Sequence, residues 1–203
     1  MQTEAALAQP DVSELDLVKR CQAGDTEAFD ELVTRYRSRV FSMIYNMVHN
    51  EQDAWDLAQD SFVKAWKSIQ RFRGHSSFYT WLYRIVMNVT IDWMRRKQVK
   101  AGSTEFDDTT RLKEIDPASK TAPKADALPY ETMQRNEIQT RIDQAIAQLT
   151  PEHRAVILMK EIEEMQYHEI AETLGCSIGT VMSRLFYARK KLQNLLRDVY
   201  ENV

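Results

Sequence analysis

The sequence has 203 residues, and its 43% hydrophobic content is enough to bury a core, which excludes a chain that is disordered throughout. Its 27 basic and 30 acidic residues give a net charge of −3, so a protein that coats nucleic acid by bulk charge alone is also excluded. Only five glycines and five prolines occur, while residues that favour helices are plentiful. We therefore expect an all-α protein.

The two cysteines, Cys21 and Cys176, lie in separate segments and form neither a disulfide framework nor a CxxC metal pair. Such usage is typical of a reducing cytoplasm. The first residues lack the basic and apolar stretches of a secretion signal, and no run approaches the roughly 20 apolar residues of a membrane span. We expect a cytoplasmic protein that does not insert into a membrane.

Along the chain, a linker separates two small helical blocks. Residues 100–136 hold three of the five prolines and no sustained apolar period, which predicts a mostly disordered linker. Residues 14–99 are expected to form about four helices, preceded by a flexible N-terminus at 1–13, and residues 137–203 form the second block. Four polar residues of the first block are placed to cap its helices: Ser13, Asp25, Asn50 and Ser77.

The third predicted helix, from about Asn50 to Ile69, has an acidic exposed face. Asp53, Asp56 and Asp60 follow one another at helical spacing along its first half. Negative charge stabilises the positive end of a helix, which is one explanation of these aspartates. The other explanation is an acidic docking face for a basic partner helix, and the sequence favours neither.

The segment RFRGHSSFYTWLYRIVMNVTIDWMRRK, residues 71–97, is rich in aromatic residues. On its helix an inward stripe is predicted at Phe78, Leu82, Ile85 and Val89. A second stripe mixes an aromatic ring with hydrogen-bonding and cationic groups: Trp81, Arg84, Asn88, Asp92 and Arg95. That mixture suits unstacked bases held by phosphate contacts, whereas the alternative is that Trp81 and its neighbours only complete the core.

The segment YHEIAETLGCSIGTVMSRLFYARKKLQNLL has the spacing of a helix-turn-helix. Ala171 stands where the two helices touch, Gly175 in the turn, and Val181 at the anchor of the second helix, which Ser177 would cap. The predicted core stripe of that helix is Ile178, Val181, Leu185, Ala188, Leu192 and Leu195. Its opposite face would read DNA, although such a hairpin can also be only a packing unit.

No enzymatic motif was found. The sequence has no phosphate-binding glycine loop, zinc-protease motif or serine-hydrolase motif, and its four histidines lack metal-ligand spacing. We therefore expect no catalytic site, no metal and no cofactor. A solvated acidic face that repels DNA is predicted at Glu161, Glu163, Glu164, Glu169 and Glu172.

Together these segments resemble a bacterial RNA polymerase sigma factor of the extracytoplasmic-function (ECF) type, group 4 of the sigma-70 family. AGDTEAFDELVTRYRSRVFSMIY resembles its region 2.1, DAWDLAQDSFVKAWKSIQRFRG its region 2.2, and FYTWLYRIVMNVTIDWMRRK its regions 2.3 and 2.4. LTPEHRAVILMKEIEEMQYHEIAETLGCSIGTVMSRLFYARKKL resembles region 4. The resemblance runs from about Glu14 to Leu196, and it implies a region 2 domain at 14–99 and a region 4 helix-turn-helix domain at 137–203.

The resemblance also implies site residues. Core polymerase would bind Asp53, Asp56, Gln59, Asp60 and Phe62. Contacts with the −10 promoter element would come from Phe72, Arg73, Gly74, His75, Ser76, Phe78, Trp81, Arg84, Asn88, Asp92, Arg95 and Arg96. In this set the loop from Phe72 to Phe78 would capture a flipped base, and Asn88 would read a base. Contacts with the −35 element would come from Thr180, Met182, Ser183, Arg184, Phe186, Tyr187, Arg189 and Lys190.

Two departures from the family pattern bear on these assignments. Met182 and Tyr187 stand where some members carry arginine, so bidentate reading of guanine is not expected there. Trp55 and Asp60 stand where members often carry glutamate, and Trp55 alters the expected docking face.

The function that the resemblance implies is that of a promoter-specificity subunit without catalysis of its own. Its partners would be core RNA polymerase, through the β′ and β subunits, promoter DNA and an anti-sigma protein that holds it inactive. The alternative is a free-standing helix-turn-helix regulator whose first domain binds a ligand or dimerises. A nucleic-acid enzyme such as a recombinase is disfavoured, because no placed nucleophile or set of metal-binding carboxylates occurs in the sequence.

Overall fold

The computed structural model describes residues 13–100 and 129–197, of which 129–136 are given as backbone only. Within these residues it contains eight α-helices and no strand, which confirms the all-α prediction. The first unit consists of α1 (Glu14–Gln22), α2 (Thr26–Val48), α3 (Glu51–Ser68), a 3-10 turn (Ile69–Arg71) and α4 (Phe78–Lys100). The second consists of α5 (Pro129–Ala147), α6 (Pro151–Glu161), α7 (Tyr167–Leu174) and α8 (Ile178–Leu195).

Five of the helices begin at the capping residues that the sequence predicts. The Asp25 carboxylate accepts hydrogen bonds from the backbone N–H groups of Glu27 and Ala28 at 3.0 and 3.2 Å. The Asn50 side chain accepts from the N–H of Asp53 at 2.8 Å. The hydroxyls of Ser13, Ser77, Thr150 and Ser177 each accept from the N–H three residues further on. These bonds satisfy N–H groups that have no partner within the helix.

The core of the first unit lies between α2, α3 and α4. The buried side chains of α2 recur at helical spacing, so that one face of this helix is apolar along its whole length. Tyr83 and Met87 of α4 are fully buried against them. This packing determines which face of α4 is buried and which is exposed.

In the second unit, α7 and α8 form the predicted helix-turn-helix. Gly175 follows α7 with φ +62°, a left-handed conformation that glycine adopts without strain. Val181, Leu185 and Ala188 are buried, as predicted. The prediction that Ile178 belongs to the core is wrong, since it lies in the first turn of α8 and is 47% exposed.

The predicted linker is shorter at its C-terminal end than expected. Helix α5 begins at Pro129, inside the stretch 100–136, because proline is tolerated in the first turn of a helix, where its missing N–H has no partner in any case. Residues 1–12 and 101–128 lie outside the described residues, so the expectations of a flexible N-terminus and a disordered linker remain predictions.

The two units lie against each other. Helix α2 contacts α6, and α4 contacts both α6 and α7. The buried Arg154 of α6 joins them, because its guanidinium donates a hydrogen bond to the carbonyl of Met47 in α2. None of the described helices combines the length and the apolar character that crossing a membrane requires.

Candidate nucleic-acid interface

One face of α4 carries the polar stripe that the sequence predicts. Arg84, Asn88, Asp92 and Arg95 are all exposed, while Leu82 and Val89 on the inward side are buried. The stripe stays exposed because the other sides of α4 pack against α2, α3, α6 and α7. The side chain of Asn88 is therefore presented to solvent between Arg84 and Asp92.

The aromatic residues at the start of α4 form one cluster. The ring of Trp81 lies 5.3 Å from that of Phe72 and 5.5 Å from that of Phe78, measured between centroids. Phe72 and Phe78 are only 9% and 3% exposed, whereas Trp81 is half-buried. The geometry allows both interpretations of Trp81, core packing and base contact. Phe72 and Phe78 are buried and pack against its ring.

The loop between the 3-10 turn and α4 is tied at its beginning and open at its tip. The amide of Gln22 donates to the carbonyls of Ile69 and Phe72 at 3.0 and 2.8 Å, which fixes where the loop leaves the core. Arg73, Gly74 and His75 are exposed, and Gly74 has φ +71°. The predicted loop residues are thus brought to the same end of α4 as Trp81.

A groove of about 450 Å³ lies between the C-terminal half of α3 and the exposed face of α4. Its α4 wall includes Asn88 and Asp92. Its other wall carries three cations that the sequence analysis did not assign to this site: Lys64, Lys67 and Arg71. Among the described residues, no ion pair neutralises these three side chains, so the groove offers positive charge beside the amide of Asn88. The helical spacing of Lys64 and Lys67 indicated a shared face, but not that this face borders α4.

Arg95 and Arg96, at the far end of the stripe, have partners. Arg95 forms an ion pair with Glu152 of α6, with 2.6 Å between Nη2 and Oε1. Burial acts to raise the pKa of the Glu152 carboxyl, but the hydrogen bond and charge of Arg95 outweigh it and hold that pKa below its usual value. Arg96 donates to the backbone carbonyl of Asp92 at 3.1 Å. The second unit thus occupies part of the surface predicted to meet DNA.

The outer face of α8 carries the residues predicted to contact the −35 element. Met182, Ser183, Phe186, Tyr187 and Lys190 are exposed. The other three differ in their surroundings: Thr180 and Arg184 are half-buried, and Arg189 forms an ion pair with Glu161 at 2.7 Å. The face is thus mostly open and only partly cationic.

The residues predicted to bind core polymerase lie along α3 beside an apolar groove. This groove, of about 470 Å³, runs between α2 and α3, and its walls include Gln59 and Phe62 together with the exposed Trp55. Asp56 and Asp60 are exposed on the same helix, whereas Asp53 pairs with Lys97 of α4, with 2.9 Å between Oδ2 and Nζ. The three aspartates therefore do not form one uniform acidic face, because Asp53 is held by a cation of α4.

Glu163 does not lie on the predicted solvated face, and that prediction is wrong for this residue. Its side chain is 6% exposed, because it inserts between the two units and pairs with Arg39 at 3.0 Å. The hydroxyl of Tyr79 donates to the same carboxylate oxygen at 2.6 Å. Burial and this hydrogen bond raise the pKa of Tyr79, so its hydroxyl keeps the proton and remains the hydrogen-bond donor. Nothing in the local pattern of acidic residues distinguishes Glu163 from its neighbours.

No group of side chains suited to holding a metal ion occurs within residues 13–100 and 129–197. His49 and His153 are half-buried, whereas His75 and His168 are exposed. The described residues therefore offer three surfaces: a polar groove with the exposed amide of Asn88, the outer face of the helix-turn-helix, and an apolar groove between α2 and α3.

Comparison with known families locates both units. Residues 32–99 match the model of Sigma-70 region 2, and residues 139–192 match the model of Sigma-70, region 4. The RNA polymerase sigma-H factor of Pseudomonas aeruginosa is 39% identical over 90% of this chain and 95% of its own length. The ECF RNA polymerase sigma-E factor of Haemophilus influenzae is 35% identical with the same coverage of both chains.

Solved structures agree with this grouping. The structure of CnrH in complex with the cytosolic domain of CnrY is 26% identical, with a TM-score of 0.63 over 90% of this chain and 96% of that one. The fold is also that of the sigma factor RpoE of Bartonella quintana, solved with the anti-sigma factor NepR, at 22% identity and a TM-score of 0.62 over 83% of this chain and 96% of that one. The sequence, both region matches and the fold place the chain in the sigma-70 family, as an RNA polymerase sigma factor of the ECF type.

Proposed function

We propose that this chain binds core RNA polymerase, directs it to −35 and −10 promoter elements, and promotes melting of the DNA for transcription initiation. The observation that carries the proposal is the groove in which Asn88 of α4 faces Lys64, Lys67 and Arg71, together with the half-buried ring of Trp81 in the first turn of the same helix. An amide can read a base edge, cations hold phosphates, and an aromatic face stacks on a base. Such a surface is suited to an unpaired strand, whose bases are free to stack on the ring.

Strand capture requires energy that these contacts can supply. Extruding a base costs a few kcal/mol, and stacking on an aromatic side chain returns about 1–3 kcal/mol per base. The exposed loop residues Arg73, Gly74 and His75 directly precede α4 and lie at the same end of that helix as Trp81, so a flipped base can reach the loop and the ring together. Asn88 then reads a base further along the same strand.

The second unit would read the −35 element as duplex DNA through α8. Elements about 25 base pairs apart are separated by roughly 85 Å at 3.4 Å per base pair. The chain between Lys100 and Pro129 can extend to at most about 95 Å, which is long enough. The two units therefore have to leave the mutual contact seen here before both elements are bound.

The same separation would free Arg95 for a phosphate. In the present arrangement its guanidinium is held by Glu152, so DNA and the second unit compete for it. With a net charge of −3, neither unit alone is expected to bind DNA tightly. Docking on polymerase raises the effective concentration of both units at the promoter.

Core polymerase would dock on α3, where Gln59 and Phe62 line the apolar groove and Asp56 and Asp60 are exposed on the same helix. Asp53 would join them once its ion pair with Lys97 opens. A chain with this role works in the cytoplasm, carries no catalysis of its own and needs no cofactor. Control by an anti-sigma protein is supported by the sigma factor RpoE of Bartonella quintana, which has the same fold and was solved with the anti-sigma factor NepR.

Run-off transcription with core RNA polymerase tests the proposal. Core polymerase incubated with the purified chain is expected to start RNA at defined promoters on sheared genomic DNA, and core polymerase alone is not. Mapping the start sites then gives the promoter elements. If the chain never associates with core polymerase, or associates without starting RNA, the proposal is wrong.

The alternative, a free-standing helix-turn-helix regulator, differs in one measurable property. Such a protein would shift operator DNA in a gel without polymerase. The proposed sigma factor is expected to shift promoter DNA only when core polymerase is present, because each unit holds DNA weakly.

A further inference from the structure

The recognition helix α8 exposes an unusual amount of apolar surface. Ile178, Met182, Phe186 and Tyr187 are 47%, 54%, 60% and 60% exposed, and together they make up four of the nine large hydrophobic side chains that stand exposed in the described residues. Three of them follow at steps of four and so lie on one face. The rings of Phe186 and Tyr187 contact each other edge to face, with centroids 5.4 Å apart.

Packing among the residues that the structure describes does not explain this face. Helix α8 uses Val181, Leu185 and Ala188 to bury itself against α6 and α7, and these three are almost fully buried. Met182 and Phe186 point away from that side. Large apolar groups left in water on a helix that presents hydroxyls alongside them are suited to contact with another molecule.

The major groove of DNA offers one apolar group for such side chains. This group is the 5-methyl of thymine, whereas guanine is read by the bidentate donors of arginine or lysine. Between Ile178 and Tyr187 the only cation is Arg184, which is half-buried. Arg189, further along the helix, is held by Glu161. The stretch of α8 that would meet base edges is therefore suited to thymine and poorly equipped for guanine.

We propose that Met182 and Phe186 read thymine 5-methyl groups, so that this sigma factor selects A·T pairs at two positions of its −35 element. The inference rests on the proposed function. The two side chains are four residues apart, about 6 Å along the helix axis, which is close to two base steps of 3.4 Å. The two thymines accordingly lie one or two base pairs apart, and Tyr187 packs beside Phe186 to hold its ring.

The test is a selection by the reconstituted holoenzyme. A start site from the run-off experiment supplies a promoter whose −35 element is then randomised, and bound fragments are sequenced. Two A·T pairs one or two positions apart are expected to be enriched. Enrichment of guanine at the positions that respond to substitution of Met182 or Phe186 would overturn the inference.

Uracil distinguishes a methyl contact from other causes of A·T preference. Replacing either selected thymine by uracil removes only the methyl group, which is expected to weaken binding of the holoenzyme about fourfold for each contact. In the Met182→Ala variant, replacing the thymine that Met182 contacts should have no further effect. A wild-type holoenzyme that binds uracil and thymine promoters equally would contradict the proposal.

A matched control is available in the same unit. Ile162 is about as exposed as Met182 but follows α6 and is not part of the recognition helix, so Ile162→Ala should leave the fourfold effect of uracil intact. If transcripts start normally but no −35 preference emerges from the selection, the inference fails while the proposed function stands. If no transcript starts at all, the proposed function itself fails.

Discussion

The hydroxyl of Tyr79 in α4 and the carboxylate of Glu163, after α6, are 2.6 Å apart and form a hydrogen bond between the two units of the chain. Arg39 of α2 reaches the same carboxylate, so three segments meet at one nearly buried charge. A charge removed from water in this way is stable only while its partners remain in place.

Replacing Glu163 by alanine should therefore loosen the contact between the units. The variant leaves the Tyr79 hydroxyl without its acceptor, and we expect the free energy of unfolding to fall by about 1–3 kcal/mol. Urea denaturation followed by circular dichroism measures it. Glu172→Ala on α7, which removes an exposed carboxylate, should change stability by less than about 0.5 kcal/mol. Equal stability of the two variants would contradict the contact.

Arg154 stabilises the contact between the two units through a second set of hydrogen bonds. Its guanidinium donates to the carbonyls of Ile146 at 3.0 Å, Ala147 at 2.5 Å and Met47. Burial lowers its pKa to about 10, which still leaves it charged at neutral pH. Arg154→Met should cost about 2–4 kcal/mol of unfolding free energy, since the carbonyls lose their donors and keep their burial. Arg154→Lys should lower the free energy of unfolding less than Arg154→Met does, but should not reach the wild-type value. A wild-type value for the lysine variant would show that the planar guanidinium is not needed.

His49 makes the stability of the interface depend on pH. Burial, and then the nearby charge of Arg154, lower its pKa to about 4, against 6.5 when it is solvated. Between these values the unfolded chain binds a proton that the folded chain does not, so stability is present above pH 6.5 and is lost as pH falls towards 4. Between pH 7 and pH 5 the loss is about 2 kcal/mol.

The matching measurement is urea denaturation at both pH values for the wild type and for His49→Asn. Asparagine tolerates the left-handed backbone at this position, where φ is +51°. The wild type should lose about 2 kcal/mol more than the variant on acidification, because other titrating groups act on both alike. Identical losses would mean that His49 is solvated in the folded chain.

Arg184 is the one cation between Ile178 and Tyr187, the stretch of α8 that we propose reads bases. Arg184→Ala should weaken binding of the holoenzyme to duplex −35 DNA about tenfold, within the range of one lost arginine contact. Co-purification with core polymerase should be unchanged, since α3 lies in the other unit. Undiminished transcription from promoters that depend on the −35 element would argue against this role.

The sequence predicted those features that depend on residues close to one another in the chain. The caps at Asp25 and Ser177, the left-handed turn at Gly175 and the exposed stripe through Asn88 depend only on neighbours within one or two turns. The predicted core stripe of α8 is wrong at Ile178, because the apolar spacing in the sequence extends beyond the part of the helix that other helices cover.

Contacts between distant segments could not be predicted in the same way. Glu163 and Arg154 meet residues more than one hundred positions away in the chain, and a single sequence does not record which distant partner a charged residue finds. The groove between Asn88 and Lys64 was missed for the same reason: each helix face was predicted separately, but their shared edge depends on how α3 packs on α4.

The most direct test of the central claim is permanganate footprinting of unpaired thymines in promoter complexes. Holoenzyme containing Asn88→Ala should bind core polymerase as the wild type does but melt the −10 element much less, because the amide that reads the extruded strand is gone. Unchanged thymine reactivity in that variant would contradict the claim that this face of α4 captures the melted strand.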